Sequence, residues 1–138
     1  MGLLLLAALA GVFAVGPVSS AEARDPSGLM QVGYQRFQRY GAHSDLRIFL
    51  AAAATSGGSV AIRMNSAFAD AAEIQSIVPE PQHAKAMRDG VEFTFQVAEP
   101  GEPAMVRFSF KPQRMGAVHA EIALADRPPA RFDSFVYP

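Results

Sequence analysis

The chain has no cysteine and no tryptophan among its 138 residues. Without cysteine there is no disulfide, no thiolate nucleophile, no zinc–thiolate site and no lipidated cysteine to tether the chain. An exported domain of this kind has to be held by its apolar core alone. Half of the residues are hydrophobic, which is enough for one. A charge excess is also missing: 12 Lys and Arg face 13 Asp and Glu, a net charge of −1, and no basic cluster exists. There is then no electrostatic footprint for nucleic acid. No Gly-x-Ser-x-Gly elbow occurs, and Gly57-Gly58 is not followed by the Gly-Lys-Ser/Thr of a phosphate loop. No repeat of fixed period is visible, and no strand–helix alternation points to an α/β fold.

What the chain does have is alternation. Val91, Phe93, Phe95 and Val97 alternate with polar residues, as do Val106, Phe108 and Phe110, and again Val118, Ala120, Ile122 and Leu124. Period two puts one set on a buried face and the other in water. The Gly/Pro-rich connectors between the three runs predict a β-meander. Upstream, Met30 to Tyr34 reads as a strand with a bulge or an end near Arg36. Leu46 to Leu50, continuing into Ala51–Ala54, and Val60 to Met64 read as a hairpin about the Gly57-Gly58 turn. Asn65 to Ala71 reads as one helical turn crossing between sheets. Ala72 to Val78 reads as a strand with Ile74 and Val78 inward. His83 to Met87 is a further strand, Asp89-Gly90 a turn, and Arg131 to Pro138 the last strand. The expected fold is all-β: an immunoglobulin-like or fibronectin-like two-sheet antiparallel sandwich, preceded by one N-terminal hydrophobic helix. The Cys pair and core Trp of antibody domains are absent.

Residues 1–18 carry no ionisable side chain; the first is Glu22. An apolar run of about 18 residues lies at the lower limit of a membrane-spanning helix. Two expectations follow for residues 1–20. One is a transmembrane anchor in the inner membrane with the domain in the periplasm. The other is a secretory signal cut after Ala23, which releases the domain into the periplasm. Residues 21–28 read as a linker and 29–138 as the domain.

Candidate sites are sparse. His43, His83 and His119 show no ligand spacing, so no cofactor is expected. The sharpest metal alternative is a copper carrier, because thioether and imidazole suit copper and His119 follows Met115 by four residues. Met30 and Met64 fall in apolar register and belong to the core. A small envelope hydrolase is the other alternative, without a pair of residues that spacing alone would bring together. For partner binding the candidates are Phe135 and Tyr137, on the face opposite Phe132, with Arg36 and Arg39 of the first strand region.

GPVSSAEARD, YQRFQRYGAHSDLRI, SIVPEP, DGVEFTF and the terminal FVYP together resemble an uncharacterised group of small proteobacterial single-pass membrane proteins with an extracytoplasmic β-rich domain. The resemblance spans nearly the whole chain and carries no catalytic motif. It implies a retained anchor and a non-enzymatic binding or accessory role beside another envelope protein. This chain departs from the group by having no basic residue ahead of the apolar run.

Overall fold

The computed structural model describes residues 20–125 and 127–138. The hydrophobic segment expected over 1–20 lies outside them except for Ser20. No helix among the described residues is long and apolar enough to cross a membrane.

The described chain is all-β, in two sheets. The first sheet joins β1 (Ser20–Arg24), β2 (Met30–Gln35), β4 (Ser44–Leu50), β9 (Ala104–Pro112) and β6 (Ala72–Val78), in the order β1-β2-β4-β9-β6. The second joins β3 (Phe37–Arg39), β11 (Ala130–Tyr137), β10 (Gly116–Leu124), β5 (Ser59–Asn65), β8 (Gly90–Gln96) and β7 (His83–Met87), in the order β3-β11-β10-β5-β8-β7. The alternation sets the inner faces. β4 buries Ser44, Leu46, Ile48 and Leu50, and β11 buries Ala130, Phe132, Ser134 and Val136. Phe108 lies at the centre, edge-on to Phe93 at 5.3 Å and to Phe95 at 6.4 Å. Met30 and Met64 are core residues, as their register predicts.

Several neighbours differ from those the sequence suggests. The three central runs are all strands, but not a meander. β9 lies in the first sheet, while β8 and β10 flank β5 in the second. The pair read as a hairpin about Gly57-Gly58 is a crossover: β4 and β5 belong to different sheets. The strand stops at Leu50, and Ala52–Thr55 forms a 3-10 helix that carries the chain across. Thr55 is fully buried there; its Oγ1 donates to Glu102 O at 2.7 Å and accepts from Gly101 N at 3.1 Å. On β6 the register shifts between Ile74 and Ser76, so Ile77 turns inward and Val78 outward. The sandwich is not purely antiparallel either, because β3 runs parallel to β11.

The stretch read as a linker is also folded. Ser20–Arg24 pairs antiparallel with Gln35–Gln31. Asp25-Pro26-Ser27-Gly28 closes that hairpin with Gly28 N bonding Asp25 O at 3.1 Å. Asp at the first position, Pro at the second and Gly at the fourth are the signature of a type I turn. The Asp25 carboxylate, itself buried, accepts from Met30 N at 3.1 Å and from Ser27 Oγ at 2.5 Å.

Other expectations hold. The chain leaves β2 at Gln35 and enters β3 of the other sheet at Phe37, a break at Arg36. Helix α1 (Ser66–Ala71) crosses from β5 to β6 and closes one end of the core with Phe68, which packs edge-on to Phe110 at 5.3 Å.

Candidate partner-binding face

The outer face of the second sheet, at its β3 edge, brings together residues distant in sequence. Phe135 lies opposite Ala117 of β10 on one side and Phe37 of β3 on the other. Tyr137 lies opposite Arg39. Alternation points Phe135 and Tyr137 away from the core, because Phe132, Ser134 and Val136 are buried. Phe37 is 53% exposed, Phe135 47% and Tyr137 45%, so each residue is about half open to water. Scattered single apolar side chains are ordinary on a surface. Three aromatics on adjacent strands form a patch.

The backbone beneath the patch is well fixed. Phe135 N donates to Arg36 O at 2.7 Å, and Tyr40 N to Tyr137 O at 2.8 Å. Ser134 Oγ donates to Gln35 O at 2.8 Å, and Gln38 Nε2 to the same carbonyl at 3.3 Å. These bonds clamp the sheet-switching corner Gln35–Phe37 onto β11. All four residues expected for partner contact, Arg36, Arg39, Phe135 and Tyr137, therefore meet at one edge. Sequence reading missed Phe37. It stands on a three-residue strand across the break at Arg36, where the alternation that exposes a face is too short to read.

The adjoining part of the same face is charged. His119 lies directly opposite Asp133, and Glu121 opposite Arg131. Asp133 Oδ1 is 2.7 Å from His119 Nδ1, and Glu121 Oε2 is 3.4 Å from Nε2. A carboxylate only accepts, so Nδ1 carries a proton toward Asp133. The acid at Nε2 favours a second one. The hydrogen bond to Asp133 is the largest cause that raises the His119 pKa above its ordinary 6.5; desolvation opposes it, and the charge of Asp133 and the hydrogen bond and charge of Glu121 add smaller upward effects. A raised pKa means that the folded state holds this proton more tightly than the unfolded one. The stabilisation is complete below 6.5 and is lost as pH rises through the folded value. The expected result is a His119 imidazole titration, followed by NMR, with its midpoint above 6.5. Asp133→Asn moves that midpoint down.

Asn65, the only asparagine in the chain, fastens β5 to this face. Its Nδ2 donates to His119 O at 2.9 Å, and its Oδ1 accepts from Glu121 N at 3.0 Å. The side-chain amide thus mimics a strand peptide where the β5–β10 ladder ends and α1 begins. Asn65→Ala removes both bonds. It should cost about 1–3 kcal/mol in urea unfolding, the sum of two ordinary hydrogen bonds. Asn65→Asp should lose the donor bond to His119 O as well.

Of the copper pair, Met115 lies in the loop ahead of β10, and His119 lies on β10 with both ring nitrogens facing acids. Among the described residues no cluster of three or more His, Cys, Asp or Glu could hold a metal ion. His43 and His119 pair with acids rather than with nucleophiles: His43 Nε2 is 3.0 Å from Asp45, and no His is hydrogen-bonded to a Ser or Thr hydroxyl among the described residues.

Comparison with protein-family models and with curated proteins gives no match. Among solved structures the chain is similar to the cupredoxin domain of amoB from Nitrosocaldus yellowstonii, at 13% identity and a TM-score of 0.35. The match covers 84% of this chain and 62% of that one.

Proposed function

We propose that the chain is a non-enzymatic, membrane-anchored module of the bacterial periplasm that binds another envelope protein. Its docking surface is the aromatic edge of the second sheet. The observation that carries this reading is the convergence of Phe37, Phe135 and Tyr137 on one exposed face, flanked by Arg36 and Arg39. Aromatics and Arg are the residue types that dominate protein interfaces, and rigid strands present them at little entropic cost. The apolar segment at 1–20 supports attachment to the inner membrane, with the fold outside the cytoplasm.

We read the domain as immunoglobulin-like in arrangement. With β2, β4, β5, β6, β9, β10 and β11 taken as A to G, one sheet runs A-B-E-D and the other G-F-C. That is the strand order of a constant-type immunoglobulin sandwich. β1, β3 and the β7–β8 hairpin are additions at its edges.

The test is a cross-linked pull-down of the C-terminally tagged full chain from native membranes, read by mass spectrometry. A partner recovered in near-stoichiometric yield is expected, and Phe135→Ala with Tyr137→Ala should lose it. Recovery unchanged by the double variant, or no partner with the tagged chain in the soluble fraction, sinks the reading.

A further inference from the structure

The register of the sheets places the chain's N-terminal junction at one particular end of the sandwich. Ser20 pairs with Gln35, and Gln35 Nε2 lies 3.4 Å from Ser20 Oγ. β2 runs toward this end and continues into β3, so antiparallel β1 begins there. Four other elements meet at the same end. β4 starts at Ser44, β9 finishes at Pro112, β10 starts at Gly116 and β11 finishes at Tyr137. Gly41 N bonds Pro112 O at 3.0 Å and Tyr40 N bonds Tyr137 O, which ties the loops at this end together. The turn Ser56–Gly58 and the loop at Gly101 lie at the opposite end, beyond the finish of β4 and the start of β5.

The loop tips at the junction end are unlike those of an ordinary soluble domain. Tyr40 is exposed at the head of one loop, and Met115 is 60% exposed at the tip of another. Arg39 and Arg114 stand exposed beside them, with Lys111 one strand inward. Asp70 and Glu73 are also at this end, and Glu73 is engaged by Gln113 Nε2 at 3.0 Å. An aromatic and a thioether at loop tips, ringed by Arg and Lys, is the residue pattern of a membrane–water interface. The apolar run of residues 1–18 enters the described fold at this end.

We infer that the Tyr40 and Met115 loop tips rest in the headgroup layer of the bilayer that holds the apolar run of residues 1–18. The inference rests on the anchored reading above. It adds an orientation: the sandwich stands on this end, and the face of Phe37 and Phe135 is presented sideways, along the membrane plane. A partner reached by that face would itself be a membrane protein. Loop-tip contact also fixes the rotation of the domain about its tether, which a single flexible junction does not.

The absence of cysteine makes the test clean, because each introduced thiol is unique. The full chain is reconstituted into vesicles of mixed zwitterionic and anionic phospholipid. An environment-sensitive fluorophore is placed at Tyr40→Cys, Met115→Cys or, as a far-end control, Ser56→Cys. A spin-labelled lipid with its nitroxide near the headgroup serves as quencher. Quenching at 40 and 115 should exceed that at 56 several-fold. Equal quenching at the three sites, or a chain left in the supernatant when vesicles are pelleted, overturns the inference. Shielding of 40 and 115 that appears only when a purified partner protein is added also overturns it, by assigning the loops to protein contact. The outcome is separable from that of the pull-down: loss of the partner with Phe135→Ala and Tyr137→Ala leaves lipid quenching at 115 unchanged.

Discussion

Phe108→Ala should remove about 3–5 kcal/mol of stability, the range for deleting a large aromatic from a packed core. Phe108 is completely buried on β9, a strand paired on both sides in the first sheet. Its ring reaches across to the second sheet, where Phe93 and Phe95 meet it edge-on. Ala leaves the lining of two rings and several aliphatic side chains without partner atoms, and backbone pairing on both sides of β9 limits collapse of the hole. A domain of this size has about 5–15 kcal/mol in total, and no disulfide is available to compensate. In urea the midpoint should drop steeply with the slope unchanged. A loss under about 1 kcal/mol would mean that the sheets close over the gap, which the pairing of β9 with both β4 and β6 argues against.

The second large effect is expected at a residue with no side chain. Gly90 opens β8, opposite Asn65 of β5. A Cβ at this position would lie well inside contact distance of Met64 O and 2.9 Å from the Cα of Asn65. Both are backbone atoms, so no rotamer change can make room. Gly90→Ala must push β5 and β8 apart where Ser66 N also bonds Asp89 O at 2.7 Å. The cost should be about 3 kcal/mol or more, at or above the top of the range for overpacking. Amide exchange should show the loss first in β7 and the start of β8. Gly28→Ala is the comparison. There the new methyl meets nothing within 4 Å, so only the positive φ of 78° opposes it. It should cost less than Gly90→Ala; the reverse order would refute the steric account.

Gly90 also shows how much the amino-acid order conveys. Asp89-Gly90 reads as a turn from sequence, and β7 and β8 do form a hairpin across it. The reason that only Gly fits lies in β5, 25 residues earlier, and no local pattern reports that. The same division runs through the fold. Alternation identified the inward residues of β4, β5, β8, β9 and β10, because burial on one face acts on each strand separately. It could not choose neighbours. Leu46–Leu50 and Val60–Met64 look alike as hairpin partners or as strands facing each other across a core. The deciding element is the link from Ala51 to Gly58, which crosses between sheets with Thr55 as its buried pin. β1 goes unread because the polar composition of 21–28 reads as a linker, and the turn Asp25-Pro26-Ser27-Gly28 does not by itself name a strand ahead of it. At the candidate site, parity set Phe135 and Tyr137 on the face opposite Phe132, and the burial of Phe132 shows which face is outward. Phe37 could not be added to them, because its contact with Phe135 depends on a parallel pairing 98 positions apart in the chain.

The proposed contact of this aromatic edge with another envelope protein can be read in intact cells by photo-cross-linking, with a benzophenone amino acid in place of Phe135 and, in a second chain, in place of Met105. Met105 is also exposed, but on the outer face of the first sheet. A discrete adduct of defined mass from position 135, and none from 105, is the predicted result. No adduct from 135, or the same adducts from both positions, would contradict the claim.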